Sequence, residues 1–152
     1  MMNTIKNTIR KQDEFLPKAI ICDLDGTLAL IHNRSPFDGS KCAQDLPNKP
    51  VVNLVKNYKK LGYKILFLSG RNIKYKEQTK SWLNKFNIPY DVLWMREEND
   101  NRKDAIVKEE LFTKNIEDKF YIEFVLDDRD QVVDLWRKKL KLPCFQVFYG
   151  DF

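Results

Sequence analysis

The stretch KAIICDLDGT at residues 18–27 decides the fold of this 152-residue chain. Its first half, Lys18 to Cys22, is a short apolar run, which is typical of a strand buried on both faces of a sheet. Its second half, DLDGT, is a polar turn. The same pattern of an apolar run that ends at polar residues recurs at 64–68, 90–95, 122–126 and 145–149. The sequence therefore predicts about five buried strands.

Helical patterns lie between the predicted strands. In the clearest of them, at 51–61, Val51, Leu54 and Val55 fall on one helical face, and Gly62 follows the end of the pattern. Further helices are predicted at 78–86, 103–114 and 131–140. Because strands and helices alternate, we expect an α/β, Rossmann-like fold, with a parallel sheet of about five strands and helices on both of its faces.

Residues 29–49 break this alternation, since they have no sustained period and contain the turn-rich run NRSPFDG at 33–39. We expect this segment to form a loop or a small cap insertion. Residues 1–17 are a polar lead-in, which we interpret as an N-terminal extension. The remaining residues, 18–152, have about the length of one ordinary globular domain.

The composition gives weaker indications about partners and compartment. Lysine and arginine number 27 against 22 aspartate and glutamate, and the net charge of +5 suits a polyanionic partner such as nucleic acid. The three cysteines, Cys22, Cys42 and Cys144, are odd in number and form no C-x-x-C pair, which argues against a disulfide framework and a structural zinc site. No apolar run approaches the roughly 20 residues of a membrane span. We therefore expect a cytoplasmic protein without a membrane partner.

Polar side chains follow three of the predicted strands at their carboxyl ends, where open parallel sheets bind their ligands. They are Asp23 and Asp25 after the first strand, Ser69 and Arg71 after the second, and Asp127 and Asp128 after the fourth. Carboxylates gathered in one crevice repel each other unless a cation lies among them, and hard oxygen ligands of this kind suit Mg²⁺. The sequence therefore predicts a divalent metal site.

Cations and hydroxyl donors can reach the same rim, and they indicate an anionic substrate. These residues are Arg34, Ser69, Arg71 and Lys108. A phosphoryl group is well served by a metal, an ammonium and a hydroxyl around its oxygens. The reaction class that this set predicts is phosphoryl transfer.

These residues resemble the motifs of the haloacid dehalogenase (HAD) phosphatase superfamily. The D-x-D-G-T run begins at Asp23, a serine follows at Ser69, a helix carries Lys108, and an aspartate pair lies at 127–128. The resemblance implies that Asp23 is the nucleophile, which forms an aspartyl-phosphate, and that Asp25 protonates the leaving oxygen and later activates water. It thereby implies a HAD fold for this chain.

The same resemblance implies the roles of the other residues in the crevice. Mg²⁺ is expected to be held by the side chains of Asp23 and Asp128 and by the backbone carbonyl of Asp25. Asp127 is expected to be their neighbour and support. Ser69 and Lys108 are expected to bind the phosphoryl oxygens, and the lysine also offsets carboxylate charge.

A narrower similarity is to the 3′-phosphatase domains of T-even phage polynucleotide kinases. It rests on the segments RKD at 102–104, VKEE at 107–110, DDR at 127–129 and GDF at 150–152, and it spans nearly all of the chain from Lys18. It implies a terminal 3′-phosphate of DNA or RNA as substrate and a phage or its bacterial host as the source. It also adds residues for substrate binding or site integrity, namely Arg34, Arg71, Asp104 and Arg96. The chain has no G-x-x-x-x-G-K-[ST] phosphate loop, so any kinase or ligase that works beside it is expected to be separate.

Other interpretations of these residues stay open at this point. A calcium loop needs Gly and Glu where this chain has Leu28 and Arg34, which argues against that reading. A second interpretation is that Asp127 and Asp128 only begin the following helix, because acids are favoured at helix N-termini. At the level of function, the alternatives are a phosphatase for nucleotides or small metabolites, a phospho-accepting signalling domain, and a nucleic-acid-binding module that has lost catalysis.

Overall fold

The computed structural model describes residues 9–152, so the first eight residues of the predicted N-terminal extension lie outside the described part. In chain order the strands are β1 (Lys18–Cys22), β2 (Ala29–Leu30), β3 (Leu46–Pro47), β4 (Lys64–Asn72), β5 (Val92–Arg96), β6 (Tyr121–Asp127) and β7 (Cys144–Gln146). The α-helices are α1 (Lys49–Lys60), α2 (Lys76–Lys85), α3 (Asp104–Asn115) and α4 (Asp130–Asp134). Within residues 9–152, every helix is too short or too polar to span a bilayer.

Five strands form one parallel sheet in the order β5-β4-β1-β6-β7, which confirms the predicted α/β architecture. After β1 the chain moves outward through β4 and β5, and it then returns to the other side of β1 for β6 and β7. The order therefore reverses at β1, and the crevice beyond the carboxyl end of this strand is where such sheets bind ligands.

Apolar side chains cover both faces of the sheet and alternate along the central strand. Ile20 of β1 packs in one cluster with Trp82 of α2, and α1 belongs to the same face. Ile21 points the other way, into a cluster with Phe112 of α3 and Trp136. Helices thus lie on both faces, as predicted, and the buried central strand holds the crevice residues in place.

Three predicted boundaries are clearly wrong. The strand predicted at 64–68 continues to Asn72, because Ser69 and Asn72 still pair with β5. The last strand is Cys144–Gln146 rather than 145–149, because β6 ends at Asp127 and the Val147 N–H makes the final bond to that strand, 3.1 Å from the Asp127 carbonyl. The helix predicted at 131–140 is α-helical only over Asp130–Asp134 and continues as a π-helical turn, in which the Leu140 N–H donates to Leu135. Beyond Val147, the side chains of Phe148 and Tyr149 are exposed.

The segment predicted as a loop or cap, 29–49, contains the antiparallel pair β2–β3 and a 3₁₀-helix over Gly39–Gln44. The indole N–H of Trp82 donates to the Asp45 carbonyl at 2.7 Å, which fixes this segment to α2. Through Asp45 the segment lies against the carboxyl edge of the sheet, beside the Arg71 side chain.

Candidate active site

The backbone after β1 turns sharply so that its aspartates lie against the end of β6. The Asp23 N–H donates to the Leu126 carbonyl at 3.0 Å, which continues the pairing of the two strands. Gly26 has a φ of +81°, and a Cβ there would lie 2.2 Å from an Asp128 carboxylate oxygen. Glycine is required at this position for two reasons. Any other residue disfavours a positive φ, and its Cβ would displace the Asp128 carboxylate.

Three aspartates and one lysine form a buried group that we term the acid–lysine centre: Asp23, Asp127, Asp128 and Lys108. One carboxylate oxygen from each aspartate lies within 4.8 Å of the others. The Lys108 ammonium, carried in from α3, is 2.8 Å from Asp23 Oδ1 and 2.9 Å from Asp127 Oδ2. Residues from the ends of β1 and β6 and from α3 therefore converge on one point, although Asp23 and Lys108, for example, are 85 residues apart in the sequence.

The electrostatics of this centre favour a bound cation. Burial raises the pKa of Asp23 well above its usual value, and Asp127 and Asp128 add to this effect although Lys108 opposes it. Burial alone lowers the pKa of Lys108, but the surrounding aspartates, Asp127 first, outweigh burial and raise it. One ammonium thus faces three carboxylates, and a divalent ion with oxygen ligands matches the remaining negative charge.

Hydrogen bonds distinguish the three carboxylates. Both oxygens of Asp127 are engaged, Oδ1 with the Asp128 N–H at 2.9 Å and Oδ2 with Lys108 and the Trp136 indole N–H. The Thr27 hydroxyl lies 3.0 Å from Asp23 Oδ2 and 3.3 Å from Asp128 Oδ1. Asp127 is therefore the most constrained of the three, and Thr27, to which the sequence reasoning gave no role, orients the other two.

The predicted phosphate-binding serine lies on an irregular part of β4. Pairing with β5 shifts its register between Ser69 and Asn72, so the intervening residues form a bulge, and bulges redirect side chains beside active sites. Buried Ser69 accepts a hydrogen bond from the Arg71 N–H at 3.1 Å. A Cβ on Gly70 would lie 1.9 Å from Asp104 Oδ1, so only glycine lets the strand approach α3 this closely.

Arg96 and Asp104 brace this bulge. Arg96 Nε donates to the Gly70 carbonyl at 2.7 Å, and its Nη1 donates to the carbonyls of Asp100 and Arg102. Asp104 lies 3.4 Å from Arg96 and 3.7 Å from the Lys108 ammonium. Both residues thus border the acid–lysine centre, and the substrate contacts predicted for them stay predictions.

Asp25 belongs to a second group, the arginine–aspartate cluster, formed by Asp25, Asp45, Arg34 and Arg71. Arg34 Nη2 is 2.6 Å from Asp25 and 2.7 Å from Asp45, and Arg71 Nη2 is 2.6 Å from the same Asp25 oxygen. Both guanidinium groups are buried. Arg71 also donates to the Thr79 hydroxyl at 2.8 Å. The cluster therefore joins the turn after β1, the segment 29–49 and β4.

This cluster holds Asp25 in its charged form. Burial alone raises the pKa of Asp25, but the ion pairs and hydrogen bonds from Arg71 and Arg34 outweigh burial and lower the pKa below its usual value. Asp45 is the residue that sequence reasoning missed, because it lies in a segment without periodicity. Its only sequence signal is a single acid beside the apolar Leu46, and a buried carboxylate with two arginine partners is visible only in three dimensions.

Replacing Asp45 with Ala is expected to destabilise the protein by about 3–5 kcal/mol, because it leaves Arg34 buried with one carboxylate instead of two. Urea unfolding followed by circular dichroism measures this loss. Asp38 is the matched control, since it lies in the same segment and its exposed side chain only accepts from the Ser40 N–H. Asp38→Ala is expected to lower the free energy of unfolding much less than Asp45→Ala does. Equal losses in the two variants would contradict the bridging role of Asp45.

Comparison with known proteins gives consistent results over nearly the whole chain. The model of the polynucleotide kinase PNKP phosphatase domain matches residues 17–152. A protein of Autographa californica nuclear polyhedrosis virus, named a putative bifunctional polynucleotide kinase/RNA ligase, is 37% identical over 145 residues, which cover 93% of this chain and 21% of the viral protein.

Two solved structures are also similar. A chain of the Pnkp1/Rnl/Hen1 RNA repair complex superposes with a TM-score of 0.95 at 54% identity, over 97% of this chain and 48% of that one. A chain of a Pnkp1/Rnl/Hen1 complex gives a TM-score of 0.96 at 53% identity, over 100% of this chain and 53% of that one. The chain thus spans about half the length of these structural relatives and about a fifth of the viral one.

Proposed function

Because this chain belongs to the family of polynucleotide kinase PNKP phosphatase domains, we propose that it hydrolyses a terminal 3′-phosphate of DNA or RNA. The products are a 3′-hydroxyl end and inorganic phosphate. The observation that carries the proposal is the acid–lysine centre, in which Asp23 lies at the end of β1 with the Lys108 ammonium 2.8 Å away. This arrangement suits attack by a carboxylate on an anionic phosphoryl group.

Asp23 is the proposed nucleophile. Its carboxylate is oriented by Lys108 at one oxygen and by the Thr27 hydroxyl at the other. Attack forms an aspartyl-phosphate bond as the bond from phosphorus to the 3′-oxygen breaks. The Lys108 ammonium balances the phosphoryl charge, and Ser69, whose oxygen accepts from the Arg71 N–H, keeps its hydroxyl hydrogen to donate to a phosphoryl oxygen.

Asp25 is the proposed acid and base. Its lowered pKa suits the second step, in which the carboxylate takes a proton from the water that attacks the aspartyl-phosphate. The first step needs the opposite state, a protonated Asp25 that gives its proton to the 3′-oxygen. An anionic phosphoryl group beside Asp25 raises its pKa, because a nearby like charge disfavours the carboxylate. In this proposal Arg34 and Arg71 position Asp25.

The donor set fits Mg²⁺, since it consists of hard carboxylate oxygens gathered within 4.8 Å. Asp23, Asp128 and the backbone carbonyl of Asp25 are the proposed ligands, with Asp127 in support. When bound, Mg²⁺ supplies positive charge to the phosphoryl oxygens. Asp127 is the least free to move, because Lys108 and Trp136 both bond its Oδ2.

Phosphate release from a single-stranded 3′-phosphorylated oligonucleotide tests the proposal. With Mg²⁺ present we expect multiple turnovers, and with EDTA we expect release to fall at least about 100-fold, because the aspartates then repel the phosphoryl group. Adding Mg²⁺ back is expected to restore the rate. A 3′-mononucleotide and a small alkyl phosphomonoester serve as comparison substrates.

The outcomes separate the alternatives. Efficient hydrolysis of the small esters without activity on the oligonucleotide would replace the polynucleotide substrate with a metabolite. A long-lived phosphoprotein without turnover would favour a phospho-accepting signalling domain. Absence of both turnover and phosphoprotein would favour a binding module. Release that persists unchanged in EDTA would contradict the metal site.

RNA repair is the setting that the relatives support for this activity. The two structural relatives come from complexes with Rnl and Hen1, one of them called an RNA repair complex, and the viral relative is named a kinase and RNA ligase. We propose that this chain prepares 3′-hydroxyl ends, which a ligase then joins to 5′-phosphate ends made by a kinase. Matched RNA and DNA oligonucleotides in the release assay compare the two substrate classes.

A further inference from the structure

An exposed aromatic surface lies beside the acid–lysine centre, and the proposed mechanism does not use it. We term it the aromatic rim: Phe37, Phe148, Tyr149 and Phe152. These side chains are 78%, 67%, 87% and 52% exposed. Large apolar side chains that are exposed together mark a binding surface more often than isolated ones do. Phe37 comes from the segment 29–49, whereas the other three follow β7.

Arg129 joins the two parts of the rim. Its guanidinium carbon is 5.1 Å from the centre of the Phe152 ring and 6.0 Å from that of Phe37, and its Nε donates to the Phe152 carbonyl at 2.8 Å. Cations over aromatic faces at these distances are attracted by the ring electrons. Arg129 thus orders rings from two distant segments around one positive charge.

The rim is continuous with the acid–lysine centre. Arg129 follows Asp128 directly in the chain. Gly150 packs against the backbone of residues 128–130. A Cβ on Gly150 would lie 1.9 Å from the Asp128 carbonyl oxygen, and the Gly150 carbonyl accepts from the Asp130 N–H at 2.7 Å. A polynucleotide whose 3′-phosphate reaches Asp23 therefore has the rim within reach of its preceding nucleotides.

The charges beside the rim favour bases over phosphates as the groups that contact it. A groove of about 600 Å³ is lined by Phe148 and Tyr149 and also by the acids Asp130 and Asp151. Those carboxylates repel the phosphodiester backbone, whereas they leave uncharged base faces free to stack on the rings. The positive charge of Arg129 lies against the rings of Phe37 and Phe152, where it attracts the backbone.

We propose that the aromatic rim binds the last bases of a single-stranded 3′ end by stacking, and so favours polynucleotides over small phosphomonoesters. This inference rests on the proposed phosphatase function. Stacking depends on the face that every base presents, so the rim distinguishes chain length and strandedness without reading sequence. Bases paired in a duplex do not offer their faces, so a recessed 3′ end within a duplex gains nothing from the rim.

The test is steady-state phosphate release by Phe148→Ala, Tyr149→Ala and the double variant. Two single-stranded substrates are compared, a 3′-phosphorylated oligonucleotide and the same chain with its last two bases removed to leave abasic sugars. Stacking contributes about 1–3 kcal/mol per base, so KM for the intact oligonucleotide is expected to rise about 5- to 100-fold while kcat is kept. On the abasic chain, the variants and the wild type are expected to be equal.

Phe15→Ala is the matched control, because Phe15 is 100% exposed and lies at the opposite end of the sheet. There the Pro17 carbonyl accepts from Tyr121, the first residue of β6. This variant is expected to keep the wild-type KM on both substrates. Release from a 3′-mononucleotide checks that the rim variants keep an intact active site.

The results separate failure of this inference from failure of the proposed function. Wild-type protein that releases no phosphate from any 3′-phosphorylated oligonucleotide would refute the function and this inference with it. Normal wild-type release with an unchanged KM in the double variant would overturn the stacking surface alone, and so would equal losses on the intact and abasic chains. If the double variant keeps its KM but no longer binds a ligase in a pull-down, the aromatic rim is a protein interface and the stacking proposal is wrong.

Discussion

Asp23→Asn is expected to lower phosphate release from a 3′-phosphorylated oligonucleotide by about 10⁴-fold or more, because a neutral amide cannot form the aspartyl-phosphate. The substitution keeps the size of the side chain, and Lys108 keeps its ion pair with Asp127 at 2.9 Å. We therefore expect the fold to persist. Release of inorganic phosphate under saturating Mg²⁺, with a circular dichroism melt of the same sample, measures both effects.

Asp25→Asn is the companion variant, and it separates the role of the nucleophile from that of the general acid and base. It is also expected to abolish turnover of the oligonucleotide, but the nucleophile remains. An aryl phosphate, whose leaving group needs no proton, is then expected to phosphorylate Asp25→Asn and to leave the phosphoprotein trapped, because no base activates water. Asp23→Asn is expected to form no phosphoprotein at all. Substantial turnover by purified Asp23→Asn would remove it from the role of nucleophile.

Lys108→Met is expected to abolish turnover and also to lower the melting temperature. Methionine approximates the stem of lysine but leaves the buried carboxylates of Asp23 and Asp127 without their ammonium partner. Breaking a buried ion pair in this way costs about 3–5 kcal/mol. For a domain of this size that corresponds to about 6–20 °C, which differential scanning calorimetry resolves.

Metal dependence distinguishes this loss from a general packing defect. A divalent cation can replace the missing positive charge, so Mg²⁺ is expected to raise the melting temperature of Lys108→Met more than that of the wild type. Lys103→Met is the matched control, because Lys103 is an exposed lysine that precedes the same helix. It is expected to melt and turn over like the wild type. Similar effects of the two substitutions would contradict the assignment of Lys108 to the centre.

The parts of the fold that the sequence predicts are those with a strong local signal. β1 agrees residue for residue with the prediction, because a run buried on both faces is apolar throughout. Ligand sites of open parallel sheets lie at the carboxyl ends of the strands, so the sequence alone predicts that Asp23, Asp127 and Asp128 lie close together. The structure places them in one buried group. Local pattern and topology are sufficient for these residues.

What the sequence does not predict depends on partners that are distant along the chain. The end of β7 follows from where β6 stops, so the apolar character of 147–149 is misleading there. Asp45 has two arginine partners, of which Arg71 is 26 residues away, and no local pattern indicates that this acid is buried. The ion pairs of Arg34 with two aspartates are invisible for the same reason, and they recast a predicted substrate ligand as a residue that also holds Asp25.

The strand order described above also determines how late in synthesis the acid–lysine centre can be completed. β1 is made early, but it lies between β4 and β6, and Asp23 meets Lys108 only across 85 residues of chain. Contacts between such distant segments form late, because closing the loop costs entropy before any pairing offsets it. A nascent chain in which β6 has not yet been synthesised therefore carries Asp23, the proposed nucleophile, on an unpaired strand edge, without Asp127 and Asp128. The acid–lysine centre is therefore complete only after α3 and β6 have been synthesised and β6 has paired with β1.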